Sequence, residues 1–263
     1  MTNKPRVFLV TGATGAIGQA IARQLALNID HRVVLLARNE AKAQATVENV
    51  RRATGNDNIN YELADVSRKA EIEDLAQRWS GPLHVLINNA AVTPRSRQET
   101  PEGLEMQWAT NVLAYLWLIE AFTPILQQSA PARVVNVASY WAGNLDLSDV
   151  EFKRRRYNND TAYRQSKQAD RMLTVALAEE LATLGISVNA CHPGDVNSNL
   201  SNNLGFGGSQ SPDEGARTPV WLATDPVGQE STGQYFERQR QTSCHFAKDR
   251  AAIKQLLELC RAY

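Results

Sequence analysis

A tyrosine and a lysine stand four positions apart in Thr161-Ala162-Tyr163-Arg164-Gln165-Ser166-Lys167, at the start of a long amphipathic stretch compatible with a helix. On a helix that spacing puts phenol and ammonium on one face. A phenol with its ordinary pKa of about 10 is a poor acid or base near neutrality, but a cation one helical turn away favours the phenolate and moves the group towards a useful range. The pair could therefore move a proton. The same spacing is common on solvated helices, so its meaning depends on whether the rest of the chain builds a site around it.

A second chemical feature lies near the N-terminus. Arg6-Val7-Phe8-Leu9-Val10 is a β-favouring run, Thr11-Gly12-Ala13-Thr14-Gly15-Ala16-Ile17-Gly18 follows it, and a helical pattern in Ile21, Ala22, Leu25 and Ala26 comes next. Strand, glycine turn, helix is a dinucleotide-binding opening: glycines let the backbone approach a pyrophosphate, and the helix N-terminus offers free N–H groups and a positive dipole end. Gly12, Thr14, Gly15, Ala16, Ile17 and Gly18 are the candidate cradle. There is no Gly-Lys-Ser/Thr, which argues against an NTPase P-loop. The next strand, Arg32 to Ala37, ends at Arg38-Asn39, where nucleotide choice is made. A carboxylate there would accept from a ribose 2′-hydroxyl and repel a 2′-phosphate, whereas Ala37 is neutral and Arg38 offers a fork of donors. That favours NADP(H).

The elements that must position these groups alternate along the chain. A helix runs to about Thr54-Gly55, and a third strand, Asn60 to Ala64, delivers Asp65-Val66, where the aspartate either holds an adenine amino group or caps the helix after Ser67. A helix near Ala70 to Trp79 leads to the apolar strand Val85-Leu86-Ile87 and then Asn88-Asn89-Ala90-Ala91, small residues and amides suited to a cofactor lying across a sheet. A long helix is expected from Glu102 to about Gln127, with Thr100 as N-cap and Pro101 as its first residue. Asn111 sits in it among apolar residues as a packing link, a water holder or a kink site. Arg133 to Ala138 is the fifth strand, ending at Ser139, whose hydroxyl could face a substrate oxygen or close a turn. Between it and Tyr163 lies the polar segment Asn144 to Asp160, with Lys153-Arg154-Arg155-Arg156 read as a solvated run. The Tyr163 helix continues to Gly185, a C-cap, and the sixth strand, Ile186 to Ala190, is broken by Cys191-His192-Pro193-Gly194. His192 has no nucleophile or metal partner near it in sequence and reads as structural. Ser201 to Ser211 reads as a mobile loop, Ser211-Pro212-Asp213-Glu214 as a capping box, Gly233 to Phe236 as a last strand and Ala251 to Cys260 as a terminal helix. Such alternation predicts an α/β doubly wound Rossmann fold: one domain over 1–263, a parallel sheet of about seven strands, helices on both faces and the site at the strand C-termini.

The whole-chain quantities exclude several classes. Lys plus Arg and Asp plus Glu both number 28 in 263 residues, so nothing in the charge points to nucleic acid or an anionic membrane. Cys191, Cys244 and Cys260 have no paired spacing, which supports neither a disulfide framework nor a metal site. Met1-Thr2-Asn3-Lys4-Pro5 passes into a strand too short for a signal segment or membrane span, and the chain reads as cytoplasmic.

Taken together, Gly12-Gly15-Gly18, Asn88-Asn89-Ala90, Asn111, Ser139, Tyr163-x-x-Ser166-Lys167 and Pro193-Gly194 occur in the order and rough spacing of the short-chain dehydrogenase/reductase family, which the chain resembles over essentially its whole length. Ala37-Arg38, the polar segment before Tyr163, and Glu214-Gly215-Ala216-Arg217 with Gly233-Gln234-Tyr235-Phe236 look most like its NADP-dependent retinol dehydrogenase-like carbonyl reductase branch, without the N-terminal membrane anchor often seen there. The middle glycine departs from the usual turn, with Gly15 and Ala16 spaced as in the extended, epimerase-type relatives. The resemblance implies that Tyr163 protonates a carbonyl oxygen as hydride arrives from NADPH and that Ser139 donates to the same oxygen. It also implies that Lys167 lowers the tyrosine pKa and binds the nicotinamide ribose, and that Asn111 positions a relay water. Arg38 would take the 2′-phosphate, Asp65 and Val66 the adenine, Asn89 and Ala90 the ribose region, and the backbone from Pro193 and Gly194 to Val196 and Ser198 the carboxamide. Apolar carbonyl compounds would enter past Thr93 to Arg95, Tyr140, Trp141 and the Ser201-to-Ser211 loop, and two copies would pair through the long helices unless the polar segment obstructs them. An NADP(H) sensor without turnover, and an extended-type epimerase or dehydratase, are the competing readings; the intact Ser139, Tyr163 and Lys167 weigh against the sensor, and Asn88-Asn89 with Asn111 against the epimerase.

Overall fold

The apolar runs become seven parallel strands: β1 (Val7–Thr11), β2 (Arg32–Ala37), β3 (Ile59–Leu63), β4 (Val85–Asn88), β5 (Ala132–Val137), β6 (Ile186–His192) and β7 (Tyr235–Glu237). An eighth, β8 (Arg240–Thr242), pairs antiparallel with β7 at the sheet edge. The computed structural model describes residues 5–263; Met1–Lys4, expected to lead into the first strand, lie outside them. Strand order is β3-β2-β1-β4-β5-β6-β7-β8, so the chain winds outward from β1 to β3, returns beside β1 and winds the other way. The switch falls between β1 and β4, where such sheets bind their ligands. The eighth strand exists because Arg238 and Gln239 adopt φ of 49° and 58° in a two-residue hairpin turn. No Asn-Gly or Asp-Gly signals that turn, so the sequence pattern did not show it.

The central strands are buried on both faces. Phe8, Val10, Val33, Leu35, Val85 and Ile87 pack under α1 (Ala16–Ala26), α2 (Glu40–Thr54) and, further along, α7 (Pro212–Thr224). Val7, Leu9, Val34, Leu36, Leu86 and Val134 pack on the other side with α3 (Lys69–Arg78), α4 (Ala114–Gln128), α5 (Asn159–Leu181) and α9 (Arg250–Arg261). The remaining helices are the short α6 (Asn199–Leu204) and α8 (Val227–Glu230). Among the described residues one helical stretch, Trp108–Gln128, is long and apolar enough to cross a membrane, and 72% of its apolar window is buried within the fold. Its apolarity is that of a core helix.

One expectation is corrected here. The helix expected from Glu102 with Thr100 as N-cap does not start there, because Gly103 (φ 82°) closes a turn in which Thr100 N donates to the Leu104 carbonyl at 2.8 Å. The true cap is Glu105, whose buried carboxylate accepts from the N–H groups of Gln107 and Trp108 at 3.0 and 2.7 Å. The helix then runs through a wide π turn, Trp108–Leu113, before settling into α4. The terminal helix α9 lies along α5 with Ile253, Leu256, Leu257 and Cys260 buried, and Arg261 bridges Glu120 of α4 and Glu180 of α5.

Other local readings hold. Gly185 (φ 72°) ends the Tyr163 helix after a short 3-10 turn, and the Ser211–Glu214 capping box is formed at both bonds. Within the Ser201-to-Ser211 segment, α6 occupies the first part, capped by Ser198, and Ser209 and Gln210 donate back to the Asp195 carbonyl.

Burial pushes the Glu105 carboxyl up to about 7, the two backbone N–H bonds pulling against it. The folded protein therefore binds that proton more tightly than the unfolded chain, and the stability it contributes is present at low pH and lost as pH rises from about 4.5 through about 7. Thermal unfolding near pH 5 and about pH 8 should show wild type losing more stability than Glu105→Gln on going alkaline; equal losses would assign the titration elsewhere.

Candidate active site

The site begins at the switch point. The Thr11 hydroxyl, at the end of β1, accepts from both Asn89 N and Ala90 N at 2.9 Å, and Asn89 Nδ2 returns a bond to the Thr11 carbonyl at 2.9 Å. This clamp ties the end of β4 to the glycine turn. Gly12 has φ 61°, and a Cβ there would lie 2.8 Å from Ala90 Cα; a Cβ on Gly18 would lie 2.3 Å from the Gly12 carbonyl oxygen. Gly12 and Gly18 are thus required by close backbone approach. Gly15 (φ −83°) would bring a Cβ only to 3.3 Å from one carbonyl, so the displaced middle glycine is not demanded by sterics. Its place is the N-cap of α1, which has no side-chain cap and no acidic residue in its first turn. Ala16, Ile17 and Gly18 therefore present uncapped N–H groups to an anion.

At the end of β2, Arg38 is exposed and makes no ion pair among the described residues. An uncapped helix end and a free guanidinium thus stand on neighbouring strand ends. Asp65 does not cap α3, whose N-cap is Arg68 with no side-chain bond; its carboxylate closes a local turn instead, accepting from Ser67 N at 3.0 Å and from the Ser67 hydroxyl at 2.8 Å, with Val66 half-buried between them.

The catalytic candidates converge where β5 ends and α5 begins. Asn158 starts α5 by accepting from Thr161 N at 2.8 Å, and Tyr163 follows within the first two turns. Burial pushes the Tyr163 phenol up to about 12, with the nearby Ser139 hydroxyl pulling down and the Asp170 and Asp195 carboxylates pushing further up. Ser139 Oγ also accepts from Trp141 N at 3.0 Å, which fixes its direction. Lys167 is 2% exposed, and its ammonium donates to the Val137 carbonyl at 3.1 Å and to Asp170 Oδ2 at 2.8 Å. It stands 6.0 Å from the Tyr163 ring centroid. Lys167 is expected to depress the tyrosine; in the protein alone burial dominates and pushes the phenol up, with the buried Asp170 carboxylate one turn further along α5 adding to it. Sequence reasoning missed Asp170; the signal was a carboxylate three positions beyond Lys167, on the same helical face.

Asn111 lies in the π turn and is committed to protein partners. Its Oδ1 accepts from Val92 N at 2.8 Å, and its Nδ2 faces the Val92 carbonyl at 3.1 Å and Ser166 Oγ at 3.3 Å. Of the three roles open to it from sequence, the geometry displays the packing link, joining the loop after β4 to α5.

A cleft joins these groups, running from Ile17 and Asn89 past Ser139, Tyr163 and Lys167 to Pro193, Gly194, Val196 and Ser198. Ala90, buried beside Asn89, backs it. Gly194 has φ 107° and a Cβ there would strike Gln210 Oε1, which accepts from Asp195 N at 2.7 Å. Gln210 is a second residue sequence reading missed, because its partner lies across a loop. Ser198 caps α6, accepting from Ser201 N at 3.2 Å. Tyr140, Trp141, Leu200 and Phe206 line the mouth, with Tyr140 and Phe206 well exposed. Thr93 to Arg95, expected at the mouth, do not line the cleft; the Thr93 hydroxyl instead reaches the Leu200 carbonyl at 3.3 Å, supporting α6 from behind. His192 is structural: burial drives it down to about 4, and its ring meets Tyr140 edge-on at 4.6 Å. The basic run is ordered around Asp149, whose carboxylate accepts from the backbone N–H groups of Lys153, Arg154 and Arg155. Among the described residues no group of metal-ligating side chains forms a metal site.

The chain belongs to the short chain dehydrogenase family, whose model matches residues 6–206. Within it the chain falls in the retinol dehydrogenase-like branch, being 30% identical to retinol dehydrogenase 13 of Homo sapiens over 256 residues, 90% of this chain and 77% of that protein. The backbone superposes with TM-score 0.81 on a putative uncharacterized protein of Mycobacterium paratuberculosis, at 26% identity over 99% of this chain and 95% of that one. A Pseudomonas aeruginosa structure titled an RhlG/NADP active-site complex matches with TM-score 0.71 and 28% identity, over 89% of this chain and 94% of that one. The protein is thus an oxidoreductase of a family that uses a nicotinamide cofactor.

Thr11 is the joint on which the cofactor side of the site turns. Thr11→Val would leave the Asn89 and Ala90 N–H groups without their partner at about 1–3 kcal/mol each, so its urea midpoint should fall well below that of wild type. An unchanged midpoint would show that the clamp is dispensable.

Proposed function

We propose that this enzyme is an NADP(H)-dependent carbonyl reductase, working reversibly as an alcohol dehydrogenase on an apolar ketone or aldehyde. One arrangement supports it above all: a buried phenol and a serine hydroxyl meet in an apolar cleft whose other end is an uncapped helix N-terminus. When bound, the cofactor supplies the hydride. Tyr163 donates its proton to the carbonyl oxygen, and Ser139 gives that oxygen a second hydrogen bond as negative charge develops on it. Lys167 has three N–H donors and two acceptors in the protein, leaving one donor for the nicotinamide ribose. The uncapped N–H groups of Ala16, Ile17 and Gly18 take the pyrophosphate and Arg38 the 2′-phosphate, with Asn89, Ala90 and the Pro193-to-Ser198 segment bordering the ribose and carboxamide. Asp65 and Val66 border the adenine. The aromatic mouth suits a bulky apolar substrate body with few polar anchors.

Arg38→Ala should cost NADPH roughly 1.5 to 3 kcal/mol, about tenfold to a hundredfold in affinity, and leave NADH unaffected. Titrating both cofactors by fluorescence checks this, and an unaltered preference would remove Arg38 from the site. Tyr163→Phe should keep the ring's packing and NADPH binding but lose about a hundredfold to ten-thousandfold in turnover. The test is NADPH oxidation across a panel of aromatic, long-chain and small charged carbonyls: wild type should prefer the first two. Parent-rate turnover by the variant on the best of them would place the proton donor elsewhere.

A further inference from the structure

Besides Lys167, one charged side chain lines the cleft: Asp195, the residue after Gly194. Its backbone is committed on both sides. Asp195 N donates to Gln210 Oε1 at 2.7 Å, and the Asp195 carbonyl accepts from Ser209 N at 2.8 Å and from Gln210 N at 2.9 Å. The side chain is left half-buried at the cleft wall, and among the described residues it forms no ion pair. Its neighbouring donor is the Tyr140 hydroxyl, a phenol that burial and then this carboxylate push up.

No nearby cation offsets this charge. The Lys167 ammonium is bonded to Asp170 and the Val137 carbonyl, and the Arg171 guanidinium lies over the Tyr235 ring at 3.7 Å and faces the Ser139 carbonyl. A polar cavity shares the wall made by Tyr140, His192 and Asp195; its Arg217 and Arg238 are matched in number by its Glu214 and Glu237. His192, the titratable residue closest to Asp195 in the chain, is kept neutral, because burial drives it down to about 4. Its ring instead holds the Tyr140 ring edge-on at 4.6 Å, and across the mouth the Trp141 and Phe206 rings stand 5.1 Å apart. An unpaired carboxylate thus sits beside aromatic faces, a combination that attracts organic cations.

We infer that Asp195 determines specificity and that the substrate is a carbonyl compound whose apolar body carries a protonated amine. The ammonium meets the Asp195 carboxylate and the Tyr140 ring while the carbonyl lies at Ser139 and Tyr163. The inference rests on the carbonyl reductase reading above and names the substrate class within it. A wholly apolar substrate entering the cleft would strip water from the carboxylate and leave it without a partner, which is unfavourable. A substrate carboxylate would add repulsion between like charges. An ammonium replaces the lost water with a charge-assisted hydrogen bond, and a neutral hydroxyl makes only the weaker, uncharged-donor version of it.

The test uses aryl ketones that carry, on arms of graded length, a dimethylammonium group, its uncharged isopropyl isostere or a carboxylate. In wild type kcat/KM should rank ammonium over isostere over carboxylate, with roughly tenfold to a hundredfold between the first two at the best arm length, mainly through KM. In Asp195→Asn, which keeps the shape and removes the charge, the ratio of ammonium to isostere should collapse towards parity. A wild type that takes the isostere as readily as the ammonium would overturn the inference whether or not the variant folds. A preference that survives in Asp195→Asn would overturn it too, leaving Asp195 a brace for its loop. Calorimetry with the carbonyl-free arylalkyl dimethylamines separates this from failure of the reductase reading. These amines should bind wild type roughly tenfold or more tighter than Asp195→Asn even if no ketone is reduced, whereas equal binding would remove the ammonium from this corner of the cleft.

Discussion

A parallel sheet buried on both faces leaves its polar groups one outlet, the ends of its strands. Each central strand of this sheet carries helices above and below, so the backbone is satisfied within the ladder and side chains that must meet a ligand can do so only past the last residue of a strand. Thr11, Arg38, Asp65, Asn89 and Ser139 all stand at or just beyond such ends. Where polar side chains do lie inside strands, they are tied to one another or to a helix, as Asn88, Asn136 and Thr174 are. The reversal of winding between β1 and β4 then opens the crevice at the one place where neighbouring crossovers diverge, and the Thr11 clamp sets its floor.

Within that crevice the electrostatics are arranged by burial more than by proximity of charges. Tyr163 and Lys167 share a helical face, as their spacing requires, yet the phenol is driven up rather than down because desolvation outweighs a cation whose charge is matched by Asp170. The same balance, read at His192, yields a neutral ring that serves as a packing surface for Tyr140.

The less regular parts of the fold act as supports. The π turn puts Asn111 opposite the loop after β4 and next to Ser166, so one side chain couples the strand end to the helix bearing Tyr163. Gln210 does the same for the Pro193–Gly194 break from across the α6 loop. On the far side, α9 seals α4 and α5 with an apolar face and the Arg261 bridges, closing a surface that would otherwise remain open.

What the sequence determined by itself was the architecture and the inventory of the site. Strand and helix periodicities, the Gly12-to-Gly18 turn and the Tyr163–Lys167 spacing are local patterns, set by backbone sterics and by which face of an element is apolar, and they carry over to the tertiary structure almost unchanged. What only the tertiary structure decided was everything that depends on partners distant in the chain. The retreat of Thr93 behind α6 and the covering of α5 by α9 follow from nonlocal contacts, while Glu105 in place of Thr100 as the helix cap and the hairpin at Arg238-Gln239 are local turns without a distinctive residue signal. Gly15 looked like the irregular member of its turn, yet the close approaches that demand glycine occur at Gly12 and Gly18, against Ala90 and the turn's own carbonyl. The state of Tyr163 is the clearest case: spacing alone predicts a phenol helped by its lysine, but a pKa is a sum over every charge and every excluded water around the group. Only the fold says that Asp170 lies on the other side of that ammonium.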